Sequence, residues 1–83
     1  MYSIVIDRNA EKQLAKIAPP FFNRVVKAIN TLADNPRPYG YKKLKGRPGY
    51  RIRIGDYRVI YKIEDRILTV FVIEIGNRKD IYG

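Results

Sequence analysis

Residues 50–61 have the sequence Tyr-Arg-Ile-Arg-Ile-Gly-Asp-Tyr-Arg-Val-Ile-Tyr, in which Gly55 and Asp56 separate two stretches of alternating character. A glycine-containing pair in this position is typical of a two-residue hairpin turn. Such a turn fixes the pairing of two antiparallel strands. The predicted partners are Ile54 with Tyr57, Arg53 with Arg58, Ile52 with Val59, Arg51 with Ile60, and Tyr50 with Tyr61.

This register gives the hairpin one apolar and one basic face. The basic face carries Arg51, Arg53 and Arg58. Because like charges directly across a strand pair destabilise a sheet, the Arg53–Arg58 pair favours a role in binding an anion. A solvated face covered by arginine stems is the competing interpretation. We predict that the other face packs against the rest of the protein; it consists of Tyr50, Ile52, Ile54, Tyr57, Val59 and Tyr61.

The flanking segments supply the remaining elements of the fold. Hydrophobic periodicity predicts a strand around residues 2–6 and helices over about residues 10–18 and 20–34. Further strands are predicted at residues 43–45, 50–54, 57–63 and 67–75. The last strand is apolar on both faces and is therefore expected in the centre of the sheet. The sequence predicts an α/β (α+β) fold of order β-α-α-β-β-β(-β), with two N-terminal helices packed on a small, mainly antiparallel sheet.

Length and composition restrict the classes of function. At 83 residues, the chain is expected to form one domain over residues 1–83. It has no Cys and no His, which excludes thiolate nucleophiles, Ser-His-Asp catalysis and metal sites built on those ligands. We expect neither a metal nor another cofactor. Because no signal peptide or membrane-spanning pattern is visible, a cytoplasmic location and no membrane partner are expected.

Basic residues are concentrated in one part of the chain. The 17 Lys and Arg and the 8 Asp and Glu give a formal charge of +9. Residues 37–58 contribute +7 of this charge, with eight basic residues and one acidic residue. A polyanionic partner is therefore expected. The eight are Arg37, Lys42, Lys43, Lys45, Arg47, Arg51, Arg53 and Arg58, and the loop residues Lys42, Lys43, Lys45 and Arg47 are predicted to attract a nucleic-acid backbone.

Arginine-rich sites without His or Cys suit phosphodiester chemistry. Guanidinium groups bind phosphate oxygens in pairs and stay charged. RNA cleavage needs no external nucleophile, because the ribose 2′-hydroxyl can attack the adjacent phosphorus in line. The sequence leaves the proton acceptor open: an arginine is almost never deprotonated, Tyr82 would need nearby cations, and Glu74 is expected to pair with Arg78 or another base. Candidate base-stacking residues are Tyr39, Tyr41 and Tyr82.

Three segments resemble motifs of the RelE/ParE toxin superfamily of type II toxin–antitoxin modules. They are residues 43–46 (Lys-Leu-Lys-Gly), residues 50–61, and residues 76–82 (Gly-Asn-Arg-Lys-Asp-Ile-Tyr). The resemblance implies ribosome-dependent, metal-independent cleavage of mRNA and hence inhibition of translation. It also implies an acidic antitoxin wrapped around the toxin, the ribosome and mRNA as further partners, and operator DNA bound only through the antitoxin complex.

Position by position, the resemblance assigns roles to individual residues. It places the basic strand residues of the family at Arg51 and Arg53, the phosphate-binding arginine at Arg58, the C-terminal arginine at Arg78 and the terminal tyrosine at Tyr82. Lys43 and Lys45 match the basic element before the strands. Some relatives have Lys at positions 51 and 53, and many have His where this chain has Asn77. The alternatives are a ParE-type toxin that binds and inhibits DNA gyrase without nuclease activity, and an inactive relative that binds only its antitoxin.

Overall fold

Two helices and five strands form residues 1–77, the part of the chain that the computed structural model describes. They are β1 (Ser3–Ile6), α1 (Arg8–Ala15), α2 (Phe21–Thr31), β2 (Lys42–Lys43), β3 (Tyr50–Ile54), β4 (Tyr57–Glu64) and β5 (Thr69–Asn77). The predicted α/β (α+β) fold and element order are confirmed. Neither helix in this range is long and apolar enough to span a membrane.

The five strands form one mixed sheet in the order β1-β5-β4-β3-β2. β1 pairs in parallel with β5, and the other neighbours are antiparallel. β5 has a strand on each side, as its apolar sequence predicts, although β4 takes the middle position. The sheet is therefore mainly antiparallel, with its single parallel pair formed by the N-terminal strand.

All five predicted partners of the β3–β4 hairpin are paired as expected. The apolar face of this hairpin is the core face: Ile52 is 8% exposed, and Val59 and Tyr61 are 0% exposed. α1 packs on β5 and α2 packs on β3 and β4, so that Val25 and Ile29 of α2 enter the same core. The sheet face turned away from the helices is called the outer face below.

β5 changes face in the middle of the strand. Tyr61 pairs with Val72 whereas Ile60 pairs with Glu74, so Ile73 is an extra residue opposite this pair. Val72 and Ile75 are both 0% exposed, although three positions separate them and simple alternation would place them on opposite faces. The bulge thus explains why apolar residues occupy both even- and odd-numbered positions of β5.

Two predicted strands have different bounds in the structure, for local reasons. The strand expected at residues 43–45 is Lys42–Lys43, because the chain then enters a loop that the amide of Leu44 closes by donating to the carbonyl of Gly49 at 3.0 Å. The last strand is Thr69–Asn77 instead of residues 67–75. Asp65–Ile67 form a 3-10 turn, and Leu68 follows in the left-handed region with φ 47°.

Both helices are shorter at their C-terminal ends than predicted. Beyond Ala15, the amides of Lys16 and Ile17 bond to carbonyls three residues back, which tightens the chain out of the α-helix. The same bonding pattern follows α2, where the amide of Leu32 donates to the carbonyl of Ile29. Leu32 nevertheless reaches the core, as its position in the apolar stripe predicts.

Asp65 ties the β4–β5 turn to two other parts of the chain. The Tyr2 hydroxyl donates to Oδ1 at 2.5 Å and a guanidinium nitrogen of Arg37 donates to Oδ2 at 2.8 Å. These two donors lower the pKa of the Asp65 carboxyl to about 2, with Arg37 the larger cause. Arg37 is thus paired with Asp65 at the end of β4 that lies away from the Gly55 turn. It is not part of the cluster formed by the hairpin arginines.

Asp65→Asn is expected to remove an acid-dependent part of the stability. A carboxyl whose pKa is lower in the folded than in the unfolded chain stabilises fully above its unfolded value of about 3.9, and less as the pH falls towards the folded value. The difference in Tm between wild type and variant should therefore be present near neutral pH and shrink below about pH 4. Thermal unfolding followed by circular dichroism measures it, with Glu11→Gln as control. A difference that does not change with pH would contradict this role.

Gly49→Ala is expected to destabilise the fold by about 1–3 kcal/mol. Gly49 has φ 115°, and a Cβ at this position would lie 3.0 Å from the carbonyl oxygen of Tyr61. Gly40→Ala is the matched control, because Gly40 also has a positive φ, 89°, but nothing lies within 4 Å of its Cβ position. Urea unfolding of both variants measures the loss. Equal losses would show that the approach to Tyr61 has no energetic consequence.

Candidate functional site

Three arginines share the outer face of the hairpin, as the register predicts. Arg51 and Arg53 come from β3 and Arg58 comes from β4, and Arg53 is directly paired with Arg58. Arg53 is exposed, whereas Arg51 and Arg58 are half-buried, and the Nε atom of Arg58 is buried. The hairpin therefore presents a cluster of three guanidinium side chains on its outer face, two of them half-buried.

Strand pairing arranges the outer face in two rows across the sheet. One row consists of Gly76, Arg58 and Arg53, and the next consists of Glu74, Ile60, Arg51 and Lys42. Neighbouring strands lie about 4.8 Å apart, so cations on adjacent strands can reach oxygens of the same phosphate group. Gly76, which pairs with Arg58, completes the first row without adding a side chain to it.

The loop between β2 and β3, residues 44–49, reaches this face through Arg47. Both terminal guanidinium nitrogens of Arg47 lie 3.5 Å from Oε1 of Glu74. The side chains are 47% and 25% exposed, respectively. The expectation that Glu74 pairs with a basic residue is met by Arg47. The sequence could not identify this partner, because the two residues are 27 positions apart and a loop joins them.

The predicted backbone-binding lysines do not share one face. Lys42 pairs with Arg51 and so lies on the outer face, whereas Lys43 pairs with Tyr50 and so lies on the side of the helices. Lys45 lies in the loop beyond β2. All three are exposed. Lys42 is the one of these three lysines that lies in the same row as Arg51, and the role of all three in backbone binding stays a prediction.

The aromatic candidates differ in accessibility. The ring of Tyr41 packs against that of Tyr50 with centroids 5.6 Å apart, and Tyr41 is half-buried; its role in base stacking stays a prediction. Tyr39 is fully exposed.

Arg78 and Tyr82 fall outside the described residues, and their predicted roles stay predictions. The described chain ends at Asn77, which pairs with Tyr57 beside the arginine row.

The chain resembles toxins of one superfamily. A family model described as the ParE toxin of the type II toxin–antitoxin system parDE matches residues 4–82. Toxin RelG of Mycobacterium tuberculosis is 30% identical over 83 residues, covering 98% of this chain and 95% of RelG. The mRNA interferase toxin RelE of Escherichia coli is 30% identical over 81 residues, covering 94% of this chain and 84% of RelE. In the crystal structure of the intact E. coli RelBE toxin–antitoxin complex, a chain superimposes with a TM-score of 0.80 at 29% identity, covering 93% of this chain and 96% of that one.

Proposed function

Because the chain belongs to the RelE/ParE toxin superfamily, we propose that it is the toxin of a type II toxin–antitoxin system and cleaves mRNA on the ribosome. The observation that carries this proposal is the cluster of Arg51, Arg53 and Arg58 on one outer face. The similarity to a relative named mRNA interferase toxin supports it. A fold alone would not, since one fold can serve different functions.

In the proposed reaction, the arginine cluster binds the scissile phosphate. Arg51, Arg53 and Arg58 hold the non-bridging oxygens and neutralise the charge that grows on them as the 2′-oxygen attacks phosphorus. Arg78 stabilises the transition state or protonates the leaving 5′-oxygen, and Tyr82 orients the nucleotide. The products are a 2′,3′-cyclic phosphate and a 5′-hydroxyl. The chain supplies positioning and charge for this step, with no protein nucleophile.

We also propose that an acidic antitoxin of the RelB type neutralises the toxin. The related E. coli toxin is seen in a complex with its antitoxin. The formal charge of +9 on this chain, most of it within residues 37–58, complements an acidic partner. Binding of such a partner over the outer face would exclude RNA from the arginine cluster.

Inhibition of DNA gyrase is the second candidate function. It is favoured by the description of the matching family model, which is that of a ParE toxin. A protein that only binds gyrase has no requirement for guanidinium groups in the geometry of a phosphate site. The like-charged Arg53–Arg58 pair therefore favours the nuclease over this candidate.

One experiment separates the two candidates. The purified protein is tested for cleavage of mRNA in the A site of programmed ribosomes and, in parallel, for inhibition of gyrase supercoiling. We expect ribosome-dependent cleavage that Arg58→Ala and Tyr82→Phe both reduce. Gyrase inhibition without cleavage, unchanged by either substitution, would overturn the proposal. The absence of both activities, with no growth arrest on expression, would identify a relative that only binds its antitoxin.

A further inference from the structure

One carboxylate lies among the cations of the outer face. Glu74 is the single acidic residue in the two rows that contain Arg51, Arg53 and Arg58, within the described part of the chain. Its side chain is 25% exposed, so a bound molecule can reach it. Neither its strand position nor the packing of the core requires an acid there, since the side chain projects from the face opposite the helices.

The surroundings of Glu74 fit a site where a nucleotide binds. Glu74 and Arg58 are diagonal neighbours on paired strands, a relation that places the Cα atoms about 7–8 Å apart. Arg51 lies in the same row two strands away, with Ile60 between them. Ile60 is 1% exposed, so it is covered, and a bound nucleotide would contact the charged side chains around it. A ribose at these side chains can direct its 2′-hydroxyl to Glu74 and its 3′-phosphate to the arginines.

We propose that Glu74 is the general base of the RNA cleavage, an inference that rests on the proposed nuclease function. Glu74 accepts the proton of the 2′-hydroxyl as the O2′–P bond forms and the P–O5′ bond breaks. The leaving 5′-oxygen takes a proton from water, and the proton on Glu74 returns to solvent. Arginine cannot accept this proton at neutral pH, whereas a carboxylate can.

The contact with Arg47 is compatible with this role. At 3.5 Å it is long for a charge-assisted hydrogen bond, which is usually about 2.7–2.9 Å. Oε1 accepts both weak contacts from Arg47. When a phosphate draws the exposed Arg47 side chain towards itself, the carboxylate is left facing the bound ribose. Arg47 in this scheme positions Glu74 and binds the backbone, and it does not exchange protons.

The test is Glu74→Gln in single-turnover cleavage on programmed ribosomes. We expect the rate at saturating toxin to fall at least about 100-fold, with the concentration giving half the maximal rate changed less than about 3-fold. Glu74→Asp should recover part of the rate. Thermal unfolding of each variant verifies that it is folded. The matched control is Glu64→Gln, because Glu64 is an exposed acid at the far end of β4 and should cleave like wild type.

A second measurement distinguishes proton transfer from a purely structural role. Glu74→Ala should regain activity in a saturable way when formate is added, because the small carboxylate can occupy the vacated place, and chloride at the same ionic strength should have no effect. Arg47→Ala should mainly weaken binding and should show no rescue by formate.

The outcomes separate this inference from the proposed function. If wild type cleaves and Glu74→Gln cleaves at the same rate, Glu74 is not the base although the nuclease proposal stands. If Glu74→Gln matches Arg47→Ala in weakening binding alone, and formate does not restore Glu74→Ala, the carboxylate only positions Arg47 and the inference is wrong. If wild type cleaves no mRNA on ribosomes, the proposed function and the inference fail together.

Discussion

Arg53→Gln is expected to lower the rate of mRNA cleavage about 100-fold without lowering the stability of the fold. Arg53 is exposed on the outer face and lies directly across from Arg58. Glutamine keeps most of the stem that covers the sheet but removes the charge, and with it the repulsion within the pair, which is typically about 0.2–1 kcal/mol. The free energy of unfolding should therefore stay constant or rise by a few tenths of a kcal/mol.

Two assays and one control test whether the cleavage rate falls while the free energy of unfolding does not. Single-turnover cleavage on ribosomes gives the rate, and urea unfolding gives the free energy. Arg66→Gln is the control, since Arg66 is exposed in the 3-10 turn at the other end of β4 and should leave both quantities unchanged. A variant of Arg53 that cleaves like wild type, or that loses more than about 1 kcal/mol, would show that the pair serves the fold.

The hairpin was predictable from the sequence because its constraints are local. A two-residue turn at Gly55-Asp56 leaves one register for the flanking strands, and period-two alternation then assigns every side chain to a face. The three arginines of the outer face follow from these two facts alone. Residues that are distant in sequence played no part in fixing them.

The parts of the site that were not predictable depend on contacts between distant segments. Arg47 meets Glu74 across 27 positions, and Arg37 meets Asp65 across 28. A loop conformation decides each contact, and alternation within a strand carries no information about loops. The bulge at Ile73 is a further case. It reverses the parity of β5, so that Glu74 falls on the outer face although Val72, two residues earlier, faces the core.

The same two strands carry both the core and the site, which links the stability of one to the geometry of the other. Tyr61 is the largest fully buried side chain among residues 1–77, and it lies on β4 three residues after Arg58. Its hydroxyl donates to the carbonyl of Pro36 at 2.8 Å, which fixes the loop between α2 and β2 to the sheet. Burial raises the pKa of the Tyr61 hydroxyl. Changes at Tyr61 should therefore act on the fold first and on the arginines through it.

Tyr61→Ala is expected to destabilise the protein by about 3–5 kcal/mol, as truncation of a buried aromatic side chain usually does. The total stability of a chain of this size is about 4–12 kcal/mol, so much of the variant should be unfolded at 37 °C. Tyr61→Phe keeps the ring but leaves the buried carbonyl of Pro36 without its donor, at a cost of about 1–3 kcal/mol. Urea unfolding of both variants separates packing from hydrogen bonding, with Tyr39→Phe as the exposed control.

The pH dependence of the Phe variant gives an independent check on this assignment. An acid whose pKa is higher in the folded than in the unfolded chain stabilises fully below its unfolded value, about 10 for tyrosine, and less as the pH rises through the folded value. Wild type should therefore lose stability above about pH 10 more steeply than Tyr61→Phe, and the gap between them should narrow there. Equal slopes in alkali, measured by urea unfolding at several pH values, would show that the Tyr61 hydroxyl ionises as readily in the folded chain as in the unfolded one.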